Sequence, residues 1–116
     1  VTVTASADLL QQAVANLVAN AIAHTPSGTP IEIEATAEGS DAIVRVSDRG
    51  PGLSPEALVH AFDRFWQADP ARVGSGSGLG LSIVYGIVTG LGGTVTAANR
   101  AGRGATFEIR VPVAAG

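Results

Sequence analysis

The chain has 116 residues, of which 46% are hydrophobic and 15% charged, and its formal net charge is −3. These values predict a single globular domain over residues 1–116 with enough apolar content for one core, and they exclude a disordered chain. The basic residues are arginines scattered along the sequence, so neither nucleic acid nor an anionic membrane is expected as the main partner. The absence of cysteine excludes disulfides and thiolate chemistry.

A strand and a helix are predicted at the start of the chain. Residues 1–4 alternate between valine and threonine, which are both β-branched, and this pattern is typical of a strand. Ser6 is a suitable N-cap for a helix over residues 9–24. The apolar residues of that helix recur mainly at spacings of three and four and predict its buried stripe: Leu10, Val14, Leu17, Val18 and Ala21.

A second stripe on the same helix is entirely polar. Gln12, Asn16, Asn20 and His24 recur every fourth residue, although asparagine is a poor helix former. One interpretation is a row of simply exposed amides. The other is a face that lines a groove, on which amide oxygens coordinate a hard cation and His24 reaches a phosphate.

A hairpin is predicted next, with strands over residues 31–38 and 42–48. The alternation in the first strand predicts one buried and one solvated face. In the second strand, Val44, Val46 and Asp48 share one side because side chains alternate. If the two valines face the core, so does Asp48.

A carboxylate in that position needs hydrogen bonds, since an unpaired buried charge costs several kcal/mol. A structural interpretation is that the following turn, residues 49–52, caps Asp48. A functional interpretation is that Asp48 accepts a hydrogen bond from the amino group of a ligand. The pattern of the strand is compatible with both.

The second half of the chain completes the predicted secondary structure. Ser54 before Pro55 predicts the start of a second helix, which runs to Phe62. Most rings of the aromatic cluster over residues 62–66 are expected to be core or hinge anchors. Residues 67–77 are small, polar and Gly-rich, which is typical of a lid. A third helix and two strands follow, over residues 78–91, 94–98 and 105–113. The order of elements indicates an α+β fold, a two-layer α/β sandwich with three helices on one face of a mixed five-stranded sheet.

The segment Gly74-Ser75-Gly76-Ser77-Gly78-Leu79-Gly80-Leu81 places glycine at alternate positions directly before an apolar helical stretch. Glycine lets a backbone approach a ligand closely and a helix N-terminus favours anions, so one interpretation is a phosphate cradle and the other a flexible linker. A Walker loop and a protein-kinase fold are excluded because the chain has no lysine, and Leu81 replaces the third glycine of the dinucleotide fingerprint.

Five motifs stand in order along almost the whole chain: Asn16-Leu17-Val18-Ala19-Asn20-Ala21, Asp48-Arg49-Gly50-Pro51-Gly52, Phe62-Asp63-Arg64-Phe65, Gly76-Ser77-Gly78-Leu79-Gly80-Leu81 and Gly102-Arg103-Gly104-Ala105-Thr106-Phe107. Each alone is weak. Together they resemble the N box, first Gly box, F box, second Gly box and last Gly motif of the catalytic and ATP-binding domain of bacterial sensor histidine kinases, a member of the Bergerat-fold ATPase and kinase superfamily.

The resemblance implies roles for individual residues. Asp48 would bond the adenine amino group, with Thr106 and a water nearby. Asn20 would bind Mg²⁺, and Asn16 and His24 would face the phosphates. These three residues would be the catalytic residues of the domain. The other residues that the resemblance assigns to ATP are Gly50, Gly52, Arg64, Gly76, Ser77, Gly78, Leu79 and Gly80.

The implied function is a histidine kinase that binds Mg-ATP and donates its γ-phosphate to a histidine on a separate dimerisation and acceptor domain, from which a response regulator receives it. ATP-hydrolysing members of the superfamily carry a Glu four residues before the metal-binding Asn, where it can activate water. Asn16 occupies that position, and an amide cannot take a proton at neutral pH. Direct attack of water on ATP should therefore be slow. The alternatives are a hydrolysing conformational machine and a non-catalytic nucleotide sensor. Leu91 leaves some room for the sensor because it stands where the family often has His, although no catalytic need for that ring is evident.

No apolar run approaches ~18 residues, so no direct membrane contact is expected. The sequence starts at Val1, which suggests a fragment of a longer protein. By the resemblance, that parent is a sensor anchored in the bacterial inner membrane, and this domain is cytoplasmic.

Overall fold

The structure is a computed structural model that describes residues 4–23, 25, 28–63, 80–100 and 102–112. Within these ranges the secondary structure consists, in chain order, of α1 (Thr4–Ala23), β1 (Glu32–Glu38), β2 (Asp41–Ser47), α2 (Pro55–His60), α3 (Gly80–Gly90), β3 (Thr94–Asn99) and β4 (Ala105–Pro112).

The strands form a four-stranded sheet in the order β1-β2-β4-β3 in which every neighbouring pair is antiparallel. Helices α1 and α3 pack against each other, with α1 on β2 and α3 on β3 and β4. The predicted α+β fold is confirmed. This arrangement leaves the loops that follow β2 and β3 at the same end of the sheet, with Asp48 in the first of them.

The prediction of a mixed five-stranded sheet is wrong for the described part of the chain, where the sheet has four strands and no parallel pair. Thr4, which was assigned to the first strand, is the first residue of α1, and Ser6 lies inside that helix instead of capping it. Ala5 and Ala7 surround Ser6, and alanine is the strongest helix former, which favours an early start. Residues 1–3 lie outside the described ranges.

The core lies between the two long helices and the sheet. The predicted stripe of α1 is confirmed, with Leu17 and Ala21 fully buried and the other members partly buried against the same cluster. In β4 alternate residues are buried, as expected for a strand with one face on the core. Among the described residues Phe107 is the largest fully buried side chain, and the ring of Phe62 meets it edge-on at a centroid distance of 6.1 Å. Phe62 is thus one of the expected aromatic anchors.

Strand β1 differs from the expectation that one of its faces is buried. All seven of its residues are exposed, and Ile33 keeps 56% of its surface accessible. β1 is an edge strand, and α1 and α3 make their main sheet contacts with β2, β3 and β4 instead. Alternation in a sequence shows which residues share a face, but the cover of that face depends on where the helices lie.

The sheet face away from the helices carries ion pairs across neighbouring strands. Arg45 of β2 bonds Glu108 at 2.7 Å and Glu34 at 3.1 Å. The hydrogen bond that Arg45 donates to Glu108 is the main cause that raises the pKa of Arg45, followed by the one that it donates to Glu34. Ile43 points to this same face and is nevertheless only 1% exposed. It lies next to Arg45 on one side and to Arg110 on the neighbouring strand, whose long stems can cover apolar surface.

In the part of the chain that the structure describes, no helix is both long and apolar enough to cross a membrane.

Candidate functional site

Asp48 is buried immediately after the end of β2 and is 6% exposed. Its backbone N–H donates to the carbonyl of Ala105 at 2.9 Å, so the pairing with β4 continues for one residue beyond the strand. The side-chain Oδ1 accepts hydrogen bonds from the backbone N–H of Gly50 at 2.9 Å and of Ala105 at 3.2 Å. The prediction that Asp48 shares the core face of Val46 is therefore confirmed, and so is the structural part of its interpretation, the cap by the following turn.

Only one of the two carboxylate oxygens is used in this way. Among the described residues, none donates a hydrogen bond to Oδ2 of Asp48. A carboxylate has room for about four such bonds on its two oxygens. The structural and the ligand-binding interpretations of Asp48 are thus compatible, because Oδ1 fixes the side chain while Oδ2 keeps its capacity to accept from a ligand.

Residues 48–53, which we call the Asp48 loop, cross from the end of β2 over the start of β4 toward β3. Gly50 is buried and donates its N–H to Asp48, and Gly52 has a φ of 82°, which favours glycine. A Cβ on Gly52 would lie 2.9 Å from Oδ1 of Asn99. The two predicted glycines of the loop therefore have local structural reasons, a buried turn and a close approach to β3.

Gly104 packs directly beneath the Asp48 loop. Its φ is 105°, and a Cβ on it would overlap the backbone oxygen of Asp48. No L side chain fits there without moving the backbone that carries the carboxylate. The sequence indicated a Gly-containing motif at this position but did not assign Gly104 to the site.

Three polar side chains hold the Asp48 loop and were not predicted; they come from the end of β3 and from the described residues of the β3–β4 turn, Arg100 and 102–104. Arg100 donates to the carbonyl of Asp48 at 3.2 Å, and Arg103 donates from Nε to the carbonyls of Arg49 and Gly50, each at 3.2 Å. Asn99 bonds both backbone groups of Leu53. Because the partners are all backbone atoms, no complementary residue type in the loop could have revealed these contacts.

Thr106 is not brought to the carboxylate of Asp48. Its Oγ1 lies 2.9 Å from Oγ of Ser47, its partner in the β2–β4 register, on the sheet face away from the helices. Asp48 and Ala105 belong to the opposite face, because side chains alternate along a strand. The expected position of Thr106 beside the ligand acid is therefore corrected, and the protein group next to Asp48 is the backbone of Ala105.

Asn16 and Asn20 lie one turn apart on α1 and are both half-buried, whereas Gln12, two turns before Asn20, is exposed. Leu17 and Ala21, their immediate neighbours in sequence, are buried. Neither asparagine forms a side-chain hydrogen bond with another described residue. Simple exposure does not describe them, since both residues are half-buried beside core positions of α1.

Several predicted residues lie outside the described ranges: His24, Arg64, Gly76, Ser77, Gly78 and Leu79. The predicted lid over residues 67–77 lies outside them as well. Gly80 is the first residue of α3, which agrees with a helix that begins at the Gly-rich segment.

A cavity of about 130 Å³ lies at the other end of β2 and is lined by Asp41, Gly92, Gly93, Thr94, Arg110 and Pro112. It is smaller than the roughly 300–1,000 Å³ of ordinary ligand sites. The chemistry that the sequence pointed to is therefore not located there. The Asp48 loop offers a buried carboxylate with one oxygen able to accept a further hydrogen bond and a backbone shaped by glycine, and α1 carries two half-buried asparagines one turn apart.

Comparison with known proteins places this arrangement in a family. The family model described as "Histidine kinase-, DNA gyrase B-, and HSP90-like ATPase" matches residues 5–115. The sensor-like histidine kinase SenX3 of Mycobacterium tuberculosis is 41% identical over 106 residues, which are 90% of this chain and 26% of that protein. The signal transduction histidine-protein kinase AfsQ2 of Streptomyces coelicolor is 41% identical over 99 residues, 84% of this chain and 18% of that protein.

Solved structures agree with the sequence matches. The mycobacterial sensor histidine kinase MprB superposes with a TM-score of 0.80 at 30% identity, over 90% of this chain and 72% of that one. Full-length ShkA in complex with AMPPNP gives a TM-score of 0.77 at 33% identity, over 90% of this chain and 21% of that one. The chain spans about a quarter or less of the curated relatives SenX3 and AfsQ2.

Proposed function

Since the chain belongs to the histidine kinase-, DNA gyrase B- and HSP90-like ATPase family and is the ATP-binding catalytic domain of a sensor histidine kinase, we propose that it holds Mg-ATP between α1 and the Asp48 loop. In this proposal the γ-phosphate then passes to a histidine on another domain of its parent protein. The observation that carries this proposal is the divided use of the Asp48 carboxylate, one oxygen held by the backbone and the other open to a ligand donor.

Asp48 suits an adenine amino group for electrostatic reasons. Hydrogen bonds to a charged acceptor contribute about 1.5–3 kcal/mol, more than neutral ones, and the fixed backbone partners of Oδ1 hold the carboxylate before the ligand arrives. An amino group donates to Oδ2, whereas a carbonyl oxygen at the same position would meet an acceptor. This geometry favours adenine over guanine. The related ShkA, whose structure contains AMPPNP, supports an adenine nucleotide as the ligand.

Asn20 and Asn16 fit the phosphate end of the site. Amide oxygens are suitable ligands for Mg²⁺, which keeps several waters and is bound jointly with substrate phosphates. Bound there, Mg²⁺ would neutralise phosphate charge. Asn20 would coordinate it through Oδ1, and Asn16, one turn earlier, would face the phosphates. His24 and the segment Gly76 to Gly80 complete the proposed phosphate contacts.

Asn16 bears on the fate of the γ-phosphate. A water near the phosphate needs a base to take its proton, and the Asn16 amide cannot act as one. Positioning and charge neutralisation are the main requirements for transfer to another nucleophile. The domain is therefore proposed to store ATP with slow hydrolysis and to deliver its phosphate to an acceptor histidine, with a response regulator downstream, in the cytoplasm next to a membrane-anchored sensor.

The transfer is tested by incubating this domain with ATP labelled at the γ-phosphate and with the dimerisation and acceptor domain of its parent. We expect an acid-labile, base-stable label on the acceptor domain, and little free phosphate when the acceptor is omitted. The acceptor domain with its histidine replaced serves as the control. Label-free acceptor with rapid phosphate release would indicate the hydrolysing machine, and nucleotide binding with neither reaction would indicate the nucleotide sensor.

Removal of the Asn20 amide should make the affinity for ATP independent of Mg²⁺. In Asn20→Ala, ATP affinity is expected to become nearly independent of Mg²⁺, because the side chain that holds the ion to the protein is gone. Calorimetric titration of ATP with Mg²⁺ and with EDTA measures this. Gln12→Ala is the matched control, since Gln12 lies on the same helical stripe but is exposed. If EDTA still weakens ATP binding in Asn20→Ala as strongly as in the unmodified domain, Asn20 is not the metal ligand.

A further inference from the structure

The Asp48 loop is anchored at both ends and in the middle by groups from the end of β3 and the β3–β4 turn. At its start, Arg100 donates to the carbonyl of Asp48. In the middle, Arg103 donates to the next two carbonyls. At its end, Nδ2 of Asn99 donates to the carbonyl of Leu53 at 2.8 Å and Oδ1 of Asn99 accepts from its N–H at 2.6 Å.

Asn99 makes the most specific of these contacts. One planar amide bonds both the N–H and the C=O of Leu53, as a neighbouring strand would, although Leu53 belongs to no strand. Asn99 is at the same time the last residue of β3 and pairs with Ala105. Ala105 donates to Oδ1 of Asp48. Asn99 thus connects the far end of the loop to the same sheet position that fixes the carboxylate.

The contact between Asn99 and Leu53 also bears on the start of the next helix. Ser54, the residue after Leu53, caps α2, and its side chain accepts from the N–H of Ala57 at 3.0 Å. By holding Leu53, Asn99 fixes the point at which the loop ends and α2 begins. The loop also runs close to this amide, since a Cβ placed on Gly52 would lie 2.9 Å from Oδ1 of Asn99.

We infer that Asn99 is a positioning residue for nucleotide recognition, acting through the Asp48 loop and not by touching the nucleotide. The inference rests on the proposed role of Asp48 toward adenine. Asn99 is exposed and lies on an edge strand, so its replacement should leave the core of the domain intact. Its loss would free the end of the loop and let the Asp48 carboxylate sample orientations in which Oδ2 no longer faces the amino group.

The test compares Asn99→Ala, Asn99→Asp and Thr96→Ala with the unmodified domain. Asn99→Asp keeps the shape and the acceptor for the Leu53 N–H but places an oxygen against the Leu53 carbonyl. Thr96 is exposed on the same strand and does not bond the loop, which makes Thr96→Ala the matched control. Each protein is titrated with Mg-ATP and Mg-GTP, and its amide hydrogen exchange and urea unfolding are measured without nucleotide.

Both Asn99 variants are expected to bind ATP about tenfold more weakly, the scale of losing one or two hydrogen bonds, and to lose part of the preference for ATP over GTP. Amide exchange should accelerate at Gly50 and Ala105, whose N–H groups bond Asp48, as well as at Leu53. Thr96→Ala should change neither. A purely structural role would lower the unfolding midpoint while leaving the ATP-to-GTP ratio unchanged, and that result would overturn the inference.

Exchange that accelerates at Leu53 alone would also overturn it, since the anchor would then not reach the carboxylate. A failure of the proposed function looks different. In that case the unmodified domain binds ATP no better than GTP, whereas the exchange data, collected without nucleotide, still decide whether Asn99 positions Asp48.

Discussion

Asp48→Asn is expected to weaken Mg-ATP binding by about 1.5–3 kcal/mol, roughly 10- to 150-fold, while preserving the fold. The asparagine Oδ1 can still accept from the N–H groups of Gly50 and Ala105, so the backbone cap survives. The outward atom then becomes Nδ2, a donor that faces the donor of the adenine amino group. Guanine carries an acceptor at the equivalent ring position, so GTP should lose less affinity than ATP or gain some. Calorimetric titrations with both nucleotides measure the two changes.

Asp48→Ala is the informative companion to this variant. It removes the acceptor from two buried N–H groups, each worth about 1–3 kcal/mol when left unsatisfied, so urea unfolding should show a much larger loss of stability than for Asp48→Asn. Unchanged ATP affinity in a folded Asp48→Asn domain would show that adenine is recognised elsewhere. Equal losses for ATP and GTP would show that Asp48 shapes the site without reading the base.

Gly104→Ala is expected to destabilise the domain by about 2–5 kcal/mol, combining a strained backbone conformation with overpacking. The new methyl group would overlap the backbone oxygen of Asp48, so relief requires a shift of the very segment that bears the carboxylate. ATP affinity in the remaining folded protein should fall as well. Urea unfolding and nucleotide titration, performed on the same preparation, separate the two effects.

Gly102→Ala is the control that isolates the contact from the conformation. Gly102 lies in the same turn with a φ of 93°, close to the 105° of Gly104, but nothing lies within 4 Å of a Cβ placed on it. It should therefore suffer the conformational cost alone, about 1 kcal/mol or somewhat more, and leave ATP affinity unchanged. Similar losses of stability and affinity in both variants would contradict a specific role of the Gly104 contact.

Much of the site could be inferred from local pattern. The parity of Val44, Val46 and Asp48 placed a carboxylate on the core face, and the structure confirms it. Asn16 and Asn20 are four residues apart, which places both on one face of the helix, beside its buried stripe. Both inferences depend on the fixed periods of strands and helices, which any folded arrangement must respect. The family and its ATP-binding function followed from the order of the motifs and are confirmed by the comparisons.

Parity also explains where the sequence reasoning failed. Thr106 follows Ala105 directly, so the two side chains must point to opposite faces, and the resemblance alone assigned Thr106 to the ligand side. Applied to β4, the same rule that located Asp48 would have placed Thr106 with Ser47. The prediction that one face of β1 is buried was wrong for another reason. The alternation of its residues was interpreted correctly, but the helices do not cover the face that was expected to be buried.

The sequence by itself determined the α+β class, the elements of the described core, the face of Asp48 and the family, because these follow from residue periodicity and from motifs contiguous in the chain. Only the tertiary structure decided that Asn99, Arg100, Arg103 and Gly104 hold the Asp48 loop. Their partners are backbone atoms about 50 residues away in the chain. A backbone carbonyl is the same group in every residue, so it leaves no mark in the sequence, and only the folded path of the chain brings donor and acceptor together.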